Sequence, residues 1–73
     1  MAQLLDRALE MLDDEKREVF VLFDLEELPM NDVAAMLRCP IKTAYSRLYA
    51  ARELVRSFAK QALNRPPARA QNV

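Results

Sequence analysis

Glycine and histidine are absent from this 73-residue chain, and cysteine occurs once. A single cysteine excludes a disulfide framework, and without histidine no plausible set of zinc ligands remains. Cys39 reads as a small apolar turn residue rather than a redox or metal group. Long apolar runs are missing as well. A run such as Val19 to Phe23 stops far short of the roughly 20 residues that a membrane helix needs. No charged-then-apolar leader stands ahead of it. The expectation is a protein of the reducing cytoplasm, neither secreted nor membrane-spanning, with no cofactor and no catalytic constellation. The four methionines fit no cofactor box, and Met11, Met30 and Met36 are expected to fill core space.

A net charge is also lacking, since eleven basic and eleven acidic residues balance to zero. Their order along the chain is very uneven. Residues 1–37 hold ten acids (Asp6, Glu10, Asp13, Asp14, Glu15, Glu18, Asp24, Glu26, Glu27, Asp32) against Arg7, Lys16 and Arg17. From Arg38 onward there are eight bases and a single acid, Glu53. This separation points to a basic footprint for a polyanion in the C-terminal half and a different surface, for a different partner, in the N-terminal half.

At this length only one small domain can form, and only about 60% of the unfolded chain's surface can be buried. Leu4, Leu5, Ala8, Leu9 and Leu12 recur at helical spacing, so a first helix is expected over about residues 2–12. Asp13 can cap a second, with Asp14 and Glu15 in its first turn facing the positive end of the helix dipole. That helix is expected to reach Glu27, ahead of the break at Pro29. A third, short helix should run from Met30 to Leu37 with Met30, Val33, Ala34 and Leu37 on one face. Arg38-Cys39-Pro40 is the turn that follows. In the fourth helix Ile41, Ala44, Leu48, Ala51, Val55, Phe58 and Ala62 form a narrow stripe expected to pack inward. Lys42, Ser46, Tyr49, Glu53, Arg56 and Lys60 lie opposite, flanked by Tyr45 and Arg52 on one side and Thr43 and Arg47 on the other. Residues 64–73 carry two prolines and no periodicity, so the domain is set at 1–63 and the rest is expected to be a disordered tail.

The fold expected from these segments is all-α, four helices ending in a helix-turn-helix without a wing. A short amphipathic helix, a turn of three residues and a second helix with a polar outer face is the arrangement that enters a major groove. Pro40 presets the backbone for a helix start at Ile41. Lys42, Thr43, Tyr45, Ser46 and Arg47 then occupy the first two turns. Lys and Arg suit phosphates or guanine edges, Ser and Thr suit phosphates or bases, and Tyr49 can offer an apolar edge to a thymine methyl. Arg52 lies farther along and suits a phosphate. The second helix presents Val19, Phe20, Val21, Leu22, Phe23, Leu25 and Leu28 around nearly its whole circumference. By angle Val19, Leu22 and Phe23 suit the core, whereas Val21 and Leu25 fall on another side and suit a partner protein.

Residues Ala8 to Leu12, Lys16 to Phe20, Asp24 to Leu28 and Asp32 to Leu54 together resemble region four of the extracytoplasmic-function sigma factors. Pro40, Thr43, Ser46-Arg47-Leu48 and Ala51-Arg52 fall in register with that family's pattern. The resemblance implies binding to double-stranded promoter DNA at the upstream element, docking on the beta flap of RNA polymerase, and sequestration by an anti-sigma factor. It also implies a longer parent protein, because the promoter-melting domain of such factors has no counterpart here. Glu27 and Arg38 stand where the family has glycine, so each must reach its geometry with a side chain attached. Pro29 stands where a capping Ser or Thr is usual, and Tyr45 and Ala50 where Lys or Arg is usual. Two other readings remain open at this point. One is a sigma-like protein-binding module with degenerate DNA binding; the other is a response-regulator-type helix-turn-helix transcription factor.

Overall fold

The computed structural model describes residues 2–64. Among them are four α-helices and no strand: α1 (Ala2–Glu10), α2 (Asp14–Phe20), α3 (Met30–Leu37) and α4 (Ile41–Asn64), with a π-helical turn at Val21–Leu25 continuing α2. The expected tail lies, from residue 65 on, outside the described residues; its first residue, Asn64, is the last of α4.

The amphipathic α1 buries Ala8 and leaves Leu4, Leu5 and Leu9 half-buried, while Leu12, just past its end, is also buried. It ends earlier than the spacing of its leucines implies. Met11 and Leu12 donate backbone bonds only three residues back, to the Ala8 and Leu9 carbonyls, so the last turn tightens. Arg17 adds bonds to carbonyls at this end: its Nε donates to Leu9 O at 3.0 Å, which also accepts from Leu12 N–H, and its Nη2 to Leu12 O at 2.7 Å. One side chain of α2 thereby caps the preceding helix.

Asp13 caps α2 as its position implies, accepting from the Lys16 backbone N–H at 2.9 Å and from Lys16 Nζ at 2.8 Å. The side-chain bond from Lys16, reinforced by the backbone bond, holds the Asp13 carboxyl below its usual range. The stabilising effect of the cap is therefore complete above the ordinary carboxylate pKa and is lost as pH falls through the lowered one.

After Phe20 the helix widens. Glu26 N–H reaches Val21 O, five residues back, at 2.9 Å, and Leu28 N–H reaches Leu22 O at 3.0 Å. That second bond spans one residue more than the usual left-handed helix end, because the π turn has already taken in an extra residue. Azimuths drawn on a straight α-helix therefore fail beyond Phe20. Phe20 is a core residue, Phe23 and Leu22 are only half-buried, and Leu25 is 43% exposed.

Both positions that replace glycine are left-handed: Glu27 has φ 59° and Arg38 φ 56°. Arg38 terminates α3 with its N–H on Ala35 O, and the following Cys39 N–H bonds Ala34 O at 3.1 Å. Pro29 supplies no side-chain cap to α3, so the first turn is held only by backbone bonds from Asp32 and Val33 to Pro29 O. A non-glycine residue held left-handed costs about 1 kcal/mol. Arg38→Gly is expected to raise Tm by a few degrees, roughly 4 °C per kcal/mol gained at this size or more, with part of the gain cancelled by the freer unfolded chain. Differential scanning calorimetry checks it; a lowered Tm would show that the Arg38 side chain holds the turn.

The core joins Leu12, Val19, Phe20, Met30, Val33 and Ala34 to Ala44, Leu48 and Ala51 of α4. Three residues expected in the core are exposed instead. Met11 is 65% exposed in the α1–α2 connection, Met36 is 58% exposed about 200° around α3 from Ala34, and Ile41 is 41% exposed at the first residue of α4. Val55, Phe58 and Ala62 continue the stripe but are only half-buried.

Candidate nucleic-acid interface

Because Ala44, Leu48 and Ala51 are held at 0%, 1% and 0% exposure, the azimuth of α4 is fixed, and with it the face turned to solvent. Lys42, Ser46, Tyr49, Glu53, Arg56 and Lys60 are all exposed, as the spacing implies. Thr43 is half-buried on the flank, and Tyr45 lies at the rim. Among the described residues Lys42 and Lys60 enter no ion pair, whereas Arg56 is paired with Glu53 one turn earlier at 2.8 Å. The cations along the outer face of α4 are thus not equivalent.

Arg47 is drawn back toward α2, where its Nη2 lies 3.4 Å from Glu15 Oε2 and its side chain is 25% exposed. The guanidinium also contributes to lowering the Asp13 carboxyl. It faces two carboxylates at the start of α2 as well as the solvent side, and reaching a phosphate means leaving Glu15. A surface pair of this kind is weak, so the exchange is accessible.

Arg52 is engaged more firmly. Its Nε donates to Asp24 Oδ2 at 2.8 Å and its Nη2 to Asp24 Oδ1 at 2.6 Å, a two-pronged pair with the carboxylate largely covered. That hydrogen bonding raises the guanidinium pKa further above its already high value. The same guanidinium lies 5.7 Å from the Phe23 ring centroid. Sequence reasoning places Arg52 among phosphate contacts and misses Asp24, because the partner comes from the π turn, whose geometry shifts which residue faces α4.

Val21 and Leu25 part company. Val21 is half-buried and lines an open apolar groove of about 340 Å³ with Arg17, Glu18, Leu22 and Leu37, while Leu25 is exposed outside that lining. Leu37 brings the groove to the end of α3. No cluster of three or more Cys, Asp or Glu side chains positioned to hold a metal ion occurs among the described residues. No helix among them is long and apolar enough to cross a membrane.

A short helix ending in a left-handed turn, followed by a long helix pinned by small buried residues and turning a basic face to solvent, defines a helix-turn-helix domain of the DNA-binding class. The sigma-70 region 4 pattern matches residues 2–55, and the chain belongs to that family. It is similar to the ECF RNA polymerase sigma-E factors of Escherichia coli (strain K12), Salmonella typhimurium (strain LT2) and Shigella flexneri, with 33% identity over 55 residues in each case. The match takes in 75% of this chain and 29% of each relative. No solved structure matches it. The family is one of transcription-initiation domains and not of enzymes, and membership sets aside the response-regulator-type alternative.

Proposed function

We propose that this domain binds double-stranded promoter DNA at the upstream element and docks it on the core RNA polymerase, as the region-four part of an extracytoplasmic-function sigma factor acting in the cytoplasm. The observation that carries this reading is the outer face of α4. Lys42, Ser46 and Tyr49 are exposed in its first turns, directly opposite the fully buried Ala44, Leu48 and Ala51. That geometry offers one basic, hydrogen-bonding and aromatic edge to a major groove. The acidic N-terminal half keeps a second surface for protein. Val21 in its groove and the exposed Leu25 are the proposed contacts for the beta flap, and an anti-sigma factor covering the same place is the corresponding regulator.

A second reading, a sigma-like protein-binding module with degenerate DNA binding, draws support from the pairing of Arg47 with Glu15 and Arg52 with Asp24. A gel-shift assay on promoter duplexes beside a pull-down of core polymerase separates the two. Sigma-type function requires both signals, and capture of polymerase without any duplex shift favours the second reading. For the docking surface, Val21→Asp with Leu25→Asp is expected to weaken polymerase capture about tenfold or more, as loss of an interface anchor does. Leu25→Asp alone should leave the circular-dichroism melt unchanged, since that side chain is exposed. Normal capture by the double variant, with a normal melt, would rule out this surface.

A further inference from the structure

Three of the chain's five aromatic residues meet beside the Asp24–Arg52 pair. Phe23 and Asp24 are consecutive on the π turn, while Tyr45, Tyr49 and Arg52 are spaced four and three apart along α4 and so share one stripe. The contacts run in series. Asp24 fixes the Arg52 guanidinium by two bonds, at 2.8 and 2.6 Å, which sets its plane as well as its position. The guanidinium lies over the Phe23 ring at 5.7 Å, within cation–π reach. Phe23 meets Tyr45 edge-on, with centroids 6.3 Å apart and planes at 66°. Tyr45 in turn lies 6.0 Å from Tyr49 at 33°. Exposure rises along the series, from the half-buried Phe23 to 36% at Tyr45 and 60% at Tyr49.

We propose that Asp24, Arg52 and Phe23 are positioning residues that hold Tyr45 and Tyr49 as one apolar ridge on the solvent side of α4, and that this ridge recognises thymine methyl groups in the major groove. The proposal rests on the reading of α4 as the groove-entering helix. The thymine C5-methyl is the apolar group that base edges present in the major groove, and two uncharged rings supported along one edge and open along the other are suited to cover it. Nε and Nη2 of Arg52 both serve Asp24, while Nη1 takes no part in that pair. The contribution proposed for Arg52 is the orientation it gives the rings, beside whatever phosphate Nη1 meets.

The test uses the full 73-residue chain. Preferred duplexes are selected from a randomised pool, and each thymine is then replaced in turn by uracil, which removes the methyl and nothing else. The wild-type chain is expected to bind about fourfold more weakly for each covered methyl removed, at one or two positions. In Asp24→Asn and Arg52→Lys that penalty should fall below twofold. The far-UV circular dichroism should stay as in the wild type, and affinity for random-sequence duplex should not fall in either variant; in Asp24→Asn, which removes the carboxylate that restrains Arg52, it should rise by up to about fivefold. The near-UV signal should weaken; with two tyrosines and no tryptophan in the chain, it reports the ring packing directly. A wild-type chain that binds selected duplexes with no uracil penalty anywhere overturns the ridge. Variants that keep the full penalty overturn the positioning role. Variants that lose it only along with random-duplex affinity and helical signal show that the pair is merely structural. A chain that shifts no duplex even at low salt refutes the groove assignment of α4 itself, and the ridge falls with it.

Discussion

Leu48→Ala is expected to lower Tm by about 8–40 °C and to leave a fraction of the chain unfolded at physiological temperature. Leu48 is 1% exposed, and its stripe neighbours on α4, Ala44 and Ala51, are alanines at 0%. Among the described residues it is thus the one large side chain that α4 places in the fully buried layer, in the same cluster as Leu12, Val19, Phe20 and Val33. Truncation strips packing from the centre of that cluster. The flanking alanines have no atoms with which to fill the space, so the cost belongs in the range of about 2–5 kcal/mol. A chain of 73 residues has a total stability of roughly 4–11 kcal/mol at the general scale of about 0.05–0.15 kcal/mol per residue, so this single change removes a large fraction of it. The temperature shift follows from roughly 4–8 °C per kcal/mol in domains of this size. Leu54→Ala is the matched control: same residue type, same helix, 48% exposed, with an expected change within about 0.5 kcal/mol. Equal effects from the two substitutions, measured by thermal circular dichroism, would contradict the orientation of α4 on which the DNA-facing surface depends.

That orientation is legible in the sequence, because the alternation of Ala44, Leu48 and Ala51 admits one buried azimuth and the polar residues fall opposite it. The start of α3 and the Asp13 cap are legible for similarly local reasons, since each depends on a few consecutive residues and the backbone preferences they carry. The left-handed conformations at Glu27 and Arg38 are pointed to only by the resemblance, as positions where the family has glycine, because Glu and Arg themselves disfavour that region. What escapes is non-local. A π turn after Phe20 carries no marker in the residues Val21 to Leu25, yet beyond it Phe23 is left half-buried and Asp24 is brought opposite Arg52. In the sequence Arg17 is one of three bases in an acidic half. Its function as a cap for the end of α1 follows only from where α1 stops. Met11, Met36 and Ile41 are apolar yet exposed, because a domain this small covers only a narrow stripe of each helix and apolarity alone does not secure burial.

The candidate site divides along the same line. Lys42, Ser46 and Tyr49 need only helical periodicity to be placed, and they stand on the open face. Arg47 and Arg52 share that helix and sit on its flanks. There the acidic N-terminal half meets them through Glu15 and Asp24. The opposite charges of the two halves are therefore not only two surfaces for two partners. At the flanks of α4 they touch, and the acidic half restrains part of the basic one. Lys42, at the outermost turn, escapes that restraint.

Replacing both Lys42 and Arg47 by alanine is expected to weaken promoter-duplex binding by a factor on the order of 10² at about 0.1 M salt and to lower the slope of log affinity against log salt by about 1.8. Each neutralised phosphate contributes about 0.9 to that slope through counterion release, so removing both cations gives the sum, and the deficit should shrink as salt rises. The two residues are not expected to contribute alike. Lys42 is exposed at the second residue of α4 and enters no ion pair among the described residues, so Lys42→Ala removes a phosphate partner that has nothing to give up on binding. Arg47 must first leave Glu15, 3.4 Å away, and Arg47→Ala accordingly has the smaller effect. The converse substitution isolates that restraint. Glu15→Gln keeps the shape of the side chain and removes its charge, which frees Arg47 and should raise duplex affinity by up to about fivefold, the scale of an exposed ion pair. The gain should vanish in the Arg47→Ala background, so that the two changes together behave as Arg47→Ala alone. Fluorescence anisotropy titrations of the wild type and these variants across a salt series measure all of these quantities. An unchanged affinity and slope in the Lys42→Ala, Arg47→Ala double variant would show that the start of α4 does not face the phosphates, and the groove assignment would have to move to another element.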